Sequence, residues 1–128
     1  MLFRDVATTQ GITVRVAVSY LPEQSDPTME RWFWSYHIRI ENGSDRSVQL
    51  LARRWMIIDG RGGVHEVSGD GVVGETPLIP PGGSFDYVSG CPLDTPSGSM
   101  SGSYGMVDEG GATFDIAIPQ FALSAPED

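Results

Sequence analysis

Apolar and polar residues alternate with a period of two along most of this chain, and nowhere do apolar positions recur at helical spacing over roughly 11 residues or more. From Ile12 to Tyr20 the positions Ile12, Val14, Val16, Val18 and Tyr20 are apolar while Thr13, Arg15, Ala17 and Ser19 face the other way, which predicts a half-buried strand. A connection rich in Pro, Ser and Asp runs from Leu21 to Glu30. Alternation resumes from Arg31 to Asn42, with Trp32, Trp34, Tyr36, Ile38 and Ile40 on one face, and Asn42-Gly43 marks a turn.

Between Val48 and Asp59 the phase slips. Val48, Leu50 and Ala52 are in register, Trp55 and Ile57 are not, and a bulge near Arg53-Arg54 accounts for the change. A glycine-rich turn, Asp59 to Gly63, leads to a short strand from Val64 to Val67 and on to the segment Gly69 to Leu78. Pro80-Pro81-Gly82-Gly83 forbids regular structure and introduces a strand from Ser84 to Ser89, with Phe85, Tyr87 and Val88 as candidate packing residues. The last two strands are predicted at Gly98 to Val107 and Ala112 to Phe121, joined by the hairpin Asp108-Glu109-Gly110-Gly111, and the polar tail from Ser124 to Asp128 is expected to fray. About seven or eight short strands with a turn signal roughly every 8 to 12 residues predict an all-β protein, a sandwich of two antiparallel sheets of the immunoglobulin or fibronectin type III kind.

The 128 residues suffice for one domain that buries its own core without a disulfide framework or structural metal. A single cysteine, Cys91, excludes an intramolecular disulfide and points to a reducing compartment, and the first residues lack the apolar stretch of a signal peptide, so a cytoplasmic protein is expected. No apolar run is long enough for a membrane helix. With 17 acidic residues against 8 basic ones, the net charge is −9. All the basic residues are arginines and they form no stripe, which argues against nucleic acid as a partner. The absence of lysine excludes Schiff-base and phosphate-loop lysine chemistry.

Six collinear blocks resemble the bacterial ApaG proteins, also called CorD. They are Tyr36-x-Ile38-x-Ile40-x-Asn42; Val48-Gln49-Leu50-Leu51-x-Arg53-x-Trp55-x-Ile57; Gly69-x-Gly71-Val72-Val73-Gly74-Glu75-x-Pro77; Pro81-Gly82-x-Ser84-Phe85-x-Tyr87-x-Ser89-Gly90; Thr95-Pro96-x-Gly98-x-Met100-x-Gly102-x-Tyr104; and Ile118-Pro119-x-Phe121-x-Leu123. The resemblance covers nearly the whole chain as one ApaG-like domain, residues 1–128, and implies a fibronectin type III-like sandwich. It further implies a link to cobalt tolerance and magnesium efflux, and a role as a binding module, as in the related domains of eukaryotic F-box proteins. It implies no defined reaction. The chain departs from the family in Trp32 and Trp34, where smaller aromatics are usual, and in Arg54, where histidine is common.

Three candidate chemistries follow from the residues. Gly69-Asp70-Gly71-Val72-Val73-Gly74 spells G-x-G-x-x-G, in which glycines let backbone N–H groups approach a pyrophosphate, but the prolines at 77, 80 and 81 preclude the helix that normally follows. The loop is therefore either a helix-free anion site, with Arg53 or Arg54 balancing the charge of pyrophosphate or a nucleotide, or a set of glycines meeting steric needs. Arg53 alternatively pairs with a buried carboxylate. Phe33, between Trp32 and Trp34, is expected to face outward as a partner-binding anchor unless the 21–30 segment covers it. His37, His65 and Cys91 show no metal-ligand spacing, the carboxylates Asp59, Asp70, Glu75 and Asp86 form a weak magnesium or cobalt site only if the fold brings them together, no nucleophile motif is present, and Cys91 is expected to be inert. The expectation is a non-enzymatic binding module without cofactor, a monomer or homodimer that binds an unidentified protein, with a small-anion sensor as the alternative.

Overall fold

A computed structural model describes residues 3–126. The chain forms nine strands: β1 (Asp5–Thr9), β2 (Ile12–Tyr20), β3 (Trp32–Asn42), β4 (Val48–Asp59), β5 (Val64–Asp70), β6 (Leu78–Ile79), β7 (Ser84–Leu93), β8 (Ser97–Asp108) and β9 (Thr113–Ser124). They make two antiparallel sheets, one ordered β1-β2-β3-β7 and the other β5-β4-β8-β9 with β6 paired to β4. This is the all-β sandwich expected from the alternation. The connection between β2 and β3 carries two short 3-10 turns, Pro22–Gln24 and Pro27–Met29, each opened by proline.

Two strands exceed the expectation. β1 is a short strand that pairs with β2 through a two-residue hairpin, and both turn residues, Gln10 and Gly11, lie at positive φ (50° and 80°) as such a hairpin requires. β6 is only two residues long and pairs through Val48 and Gln49. Three boundaries move by several residues: β7 runs on from Ser89 to Leu93, with Val88, expected to pack, exposed on its outer face. β5 continues to Asp70, so Gly69 lies in a strand, and β9 reaches Ser124, after which the Ala125 N–H donates to the Pro96 carbonyl at 2.8 Å. The tail expected to fray is therefore held over these two residues, and its last two positions, 127 and 128, lie outside the described residues.

The phase slip in β4 is real but sits two residues earlier than expected. Leu50 pairs with Met106 and Ala52 with Gly105, so Leu51 is the extra residue, and it is exposed. A bulge there reverses the side-chain parity of everything after it. Val48 and Leu50 before it and Trp55 after it are all buried against the opposite sheet. The same reversal turns Arg53 and Ile57 to the inner face.

One apolar cluster fills the space between the sheets, drawing Ile12, Val14 and Val16 from β2, Trp34, Tyr36, Ile38 and Ile40 from β3, and Tyr104, Ile116 and Phe121 from the other sheet. Trp55 sits among aromatic rings, with centroids 5.4 Å from Tyr36 and 6.0 Å from Phe121. Asn42 is the largest buried polar side chain here. Its amide donates to the carbonyls of Arg46 (2.7 Å) and Ile79 (2.9 Å) while its oxygen accepts from the Ser44 N–H (2.9 Å), which fixes the β3–β4 connection and ties down β6.

The two long sides of the sandwich differ. On one, β1 and β2 pack against β9, and the Ala117 N–H donates to Thr9 Oγ1 at 3.1 Å. On the other, the sheets end in β7 and β5, and a cleft opens between them.

Candidate functional site

The cleft encloses about 950 Å³, within the range of preformed ligand pockets. Its inner wall is made by alternate residues of three strands: Tyr36 of β3; Arg53, Trp55 and Ile57 of β4 beyond the bulge; and Tyr87, Ser89, Cys91 and Leu93 of β7. The mouth is formed by Met29, Glu30 and Arg31 on the β2–β3 connection, by His65 and Val67 of β5, and by the turn at Val72 and Val73.

Burial sets the chemistry of the inner wall. The Tyr87 and Tyr104 hydroxyls share a hydrogen bond, and desolvation raises both phenols above their ordinary value. Tyr36 is raised for the same reason, partly offset by a hydrogen bond with Ser89. Burial also pushes the Cys91 thiol up to about 11, so it remains a neutral thiol at pH 7. These groups offer packing and neutral hydrogen bonds.

Arg53 is half-buried and its Nη1 donates to the carbonyls of Asp70 (2.8 Å) and Gly71 (3.0 Å). The carboxylate partner envisaged from the sequence is not what it finds: among the described residues its bonds go to these backbone oxygens. At the mouth Arg31 is exposed and makes no ion pair among the described residues, while the acidic groups Glu30 and Asp94 are paired. Arg61 lies 3.3 Å from Asp94 and 4.0 Å from Glu30, and His65 lies 3.1 Å from Asp59. That bond from His65, with the N–H groups of Gly63 and Arg61, holds the Asp59 carboxyl below the usual range.

The structure brings Gly69, Gly71 and Arg53 together but gives each glycine its own steric reason. Gly69 pairs with Arg53 across β4–β5, and a Cβ there would stand 2.8 Å from Nη2 of the guanidinium. Gly71 lies at φ +61° with the Glu75 carbonyl closed against it. Gly74 lies at φ +81° with open space around it. The loop N–H groups of Gly71, Val72 and Glu75 donate to the carbonyls of Leu51, Glu75 and Val72, and the carbonyls of Asp70 and Gly71 turn toward Arg53. A phosphate cradle presents N–H groups outward at a helix start, and this turn is followed by no helix. Val73, within the same turn, is a β-branched residue at φ +45°, a strained conformation, and its side chain is 54% exposed at the cleft mouth.

Phe33 points to the outer face of its sheet, where it is half-buried and its ring lies over Gly90. Its N–H donates to Ser25 Oγ (2.9 Å) and its carbonyl accepts from the Leu21 N–H (2.8 Å), so it is tied to the 21–30 segment and stands apart from the cleft wall. The four carboxylates weighed for metal do not converge on one site. Asp86, on the outer face, bonds His37 (2.9 Å) and Arg39 (3.0 Å), while Asp59 closes its own turn, and among the described residues no group of three or more His, Cys, Asp or Glu side chains is placed to hold a metal.

Alternation places Tyr36, Trp55 and Phe85 in the core and makes Tyr87 a packing residue, with no further role for any of them, whereas Tyr36, Trp55 and Tyr87 also line the cleft. One signal was available: three tyrosines at inward positions bring hydroxyls into the interior, which therefore holds polar partners or an opening.

Comparison with known proteins agrees with this architecture. The ApaG domain family matches residues 22–108. The chain is 55% identical over 120 residues to Protein ApaG of Rhizobium meliloti, covering 94% of this chain and 92% of that protein, and 54% identical to Protein ApaG of Mesorhizobium japonicum over the same length and shares. The crystal structure of an ApaA protein from Bordetella pertussis superposes with a TM-score of 0.88 at 42% identity, covering 99% of this chain and 100% of that one.

Proposed function

The chain belongs to the ApaG domain family, and from that premise we propose that it is a non-enzymatic β-sandwich binding module that holds a protein partner in the cleft between its sheets. The observation that carries the reading is the cleft itself, an aromatic wall of Tyr36, Trp55 and Tyr87 opening onto exposed apolar residues at Met29, Val67 and Val73. Aromatic and arginine side chains set in an apolar recess are the usual anchors of protein interfaces. The phenols and the thiol along the wall, raised further by burial, are neutral groups that offer a partner apolar contact and hydrogen bonds. The family resemblance adds a physiological link to cobalt and magnesium homeostasis, and the single buried cysteine accords with a cytoplasmic setting.

Site-specific photo-crosslinking in cells tests this. A photoreactive residue at position 73, on the cleft mouth, is expected to trap a discrete protein adduct, and one at Val6, exposed on β1, is expected to trap none. Equal adducts from both positions, or none from position 73, reject the cleft as the partner's seat.

A further inference from the structure

The cleft has an unbalanced charge. Glu30 and Asp94 at its mouth pair with Arg61, and Arg31 there is exposed to solvent and makes no ion pair among the described residues, whereas Arg53, half-buried in the wall, is bonded only to neutral carbonyls. One guanidinium nitrogen, Nη1, serves those carbonyls, the group lies against Gly69 in the space a side chain there would occupy, and Nη2 and Nε make no hydrogen bond among the described residues. A guanidinium in an apolar recess is most favourably completed by a carboxylate, which it binds through charge-assisted and geometrically directed hydrogen bonds. Beside it stand the rings of Tyr36, Trp55 and Tyr87, which suit an apolar or aromatic side chain.

A second observation concerns the backbone. β5 pairs with β4 along one edge only, and all but one of its residues are exposed, including Val64 and Val67. Such an edge offers unpaired N–H and C=O groups in the alternating pattern that receives an added strand. Arg53 lies opposite Gly69 in the β4–β5 register, at the far end of this same edge. A space of about 950 Å³ also exceeds what one side chain needs.

From this juxtaposition, and resting on the reading of the cleft as a protein-binding site, we infer that the partner is recognised by its C-terminus: an extended segment lies along the edge of β5, its last side chain, apolar or aromatic, enters the cleft, and its terminal carboxylate meets Arg53. The recognition needs both chemistries together, an apolar side chain and a free carboxylate on the same residue.

The test uses three probes on the isotope-labelled full chain: a tetrapeptide Ser-Val-Thr-Phe with a free C-terminus, the same peptide as its C-terminal amide, and 3-phenylpropanoate. The free-acid peptide is expected to bind saturably, to shift the backbone amides of residues 64–70, and to bind at least about tenfold more tightly than the amide. Arg53→Met is expected to erase the difference between acid and amide. Because Arg53 also holds the 70–71 turn, the acid-to-amide ratio on the unaltered chain decides the matter even if that variant does not fold. Equal binding of acid and amide, or no saturable binding by either peptide, overturns carboxylate recognition. Phenylpropanoate binding as tightly as the peptide overturns the role of the chain and of β5. A discrete adduct at position 73 alongside equal binding of acid and amide retains the protein-binding site and rejects only its C-terminal specificity.

Discussion

A methyl group on Gly71 would meet the carbonyl of Glu75 at a φ of +61°, a region that L side chains already disfavour. Gly74, three residues on, has a φ of +81° and nothing within reach of an added Cβ. The two glycines therefore separate strain from collision. Gly74→Ala is expected to cost about 1 kcal/mol, the left-handed penalty alone, while Gly71→Ala adds a backbone clash and is expected to cost about 3 kcal/mol. Denaturant unfolding of both variants measures the difference, and equal losses would show that the turn relaxes around Gly71. Arg53 was singled out in the sequence by its place in a motif, but its partners were not legible there. Backbone carbonyls leave no trace in residue identity, and a partner carboxylate was the natural guess for a half-buried cation.

Strand β4 crosses the sandwich with a change of phase, and the inner faces of both its halves depend on Leu51 being there. Deleting Leu51 would restore uninterrupted alternation and force either Val48 and Leu50 or Trp55 and Ile57 away from the core. The expected loss is more than about 3 kcal/mol, with Trp55 fluorescence shifted toward that of an exposed indole. A native-like emission spectrum would mean that the bulge can migrate. The slip itself was legible, because Trp55 and Ile57 are large and plainly out of step with Leu50. Its location was not, since Leu51, Ala52, Arg53 and Arg54 are of mixed character and only the pairing of β4 with β8 shows which one is extra. β1 and β6 escaped notice for a related reason. Asp5 to Thr9 has little apolar contrast, and two residues, Leu78 and Ile79, are too few to carry a period.

At the scale of the whole molecule, the sandwich has its sheets joined along β1 and β9 and parted along β5 and β7, which leaves a cleft on that side. The sheets and most of their core followed from alternation and turn residues, which act locally. The opening did not, because it depends on which strands end up at the sheet edges, a matter of topology that no local pattern encodes. Tyr36, Trp55 and Tyr87 read as core residues for the same reason: they are core residues, and only the parting of the edges makes them also the wall of a site. Phe33 faces outward, as its place between Trp32 and Trp34 predicts, with its ring over Gly90 and its backbone tied to the 21–30 segment.

The most direct test of the account is to fill the cleft and leave everything else in place. Ser89 lines the cleft from β7 and hydrogen-bonds Tyr36, and Ser89→Trp would fill the space with the loss of that one bond. With the photoreactive residue at position 73, the account predicts that this substitution abolishes the cross-linked partner adduct while the unfolding midpoint stays close to that of the unaltered chain. An adduct formed in undiminished yield by the folded, filled protein would contradict it.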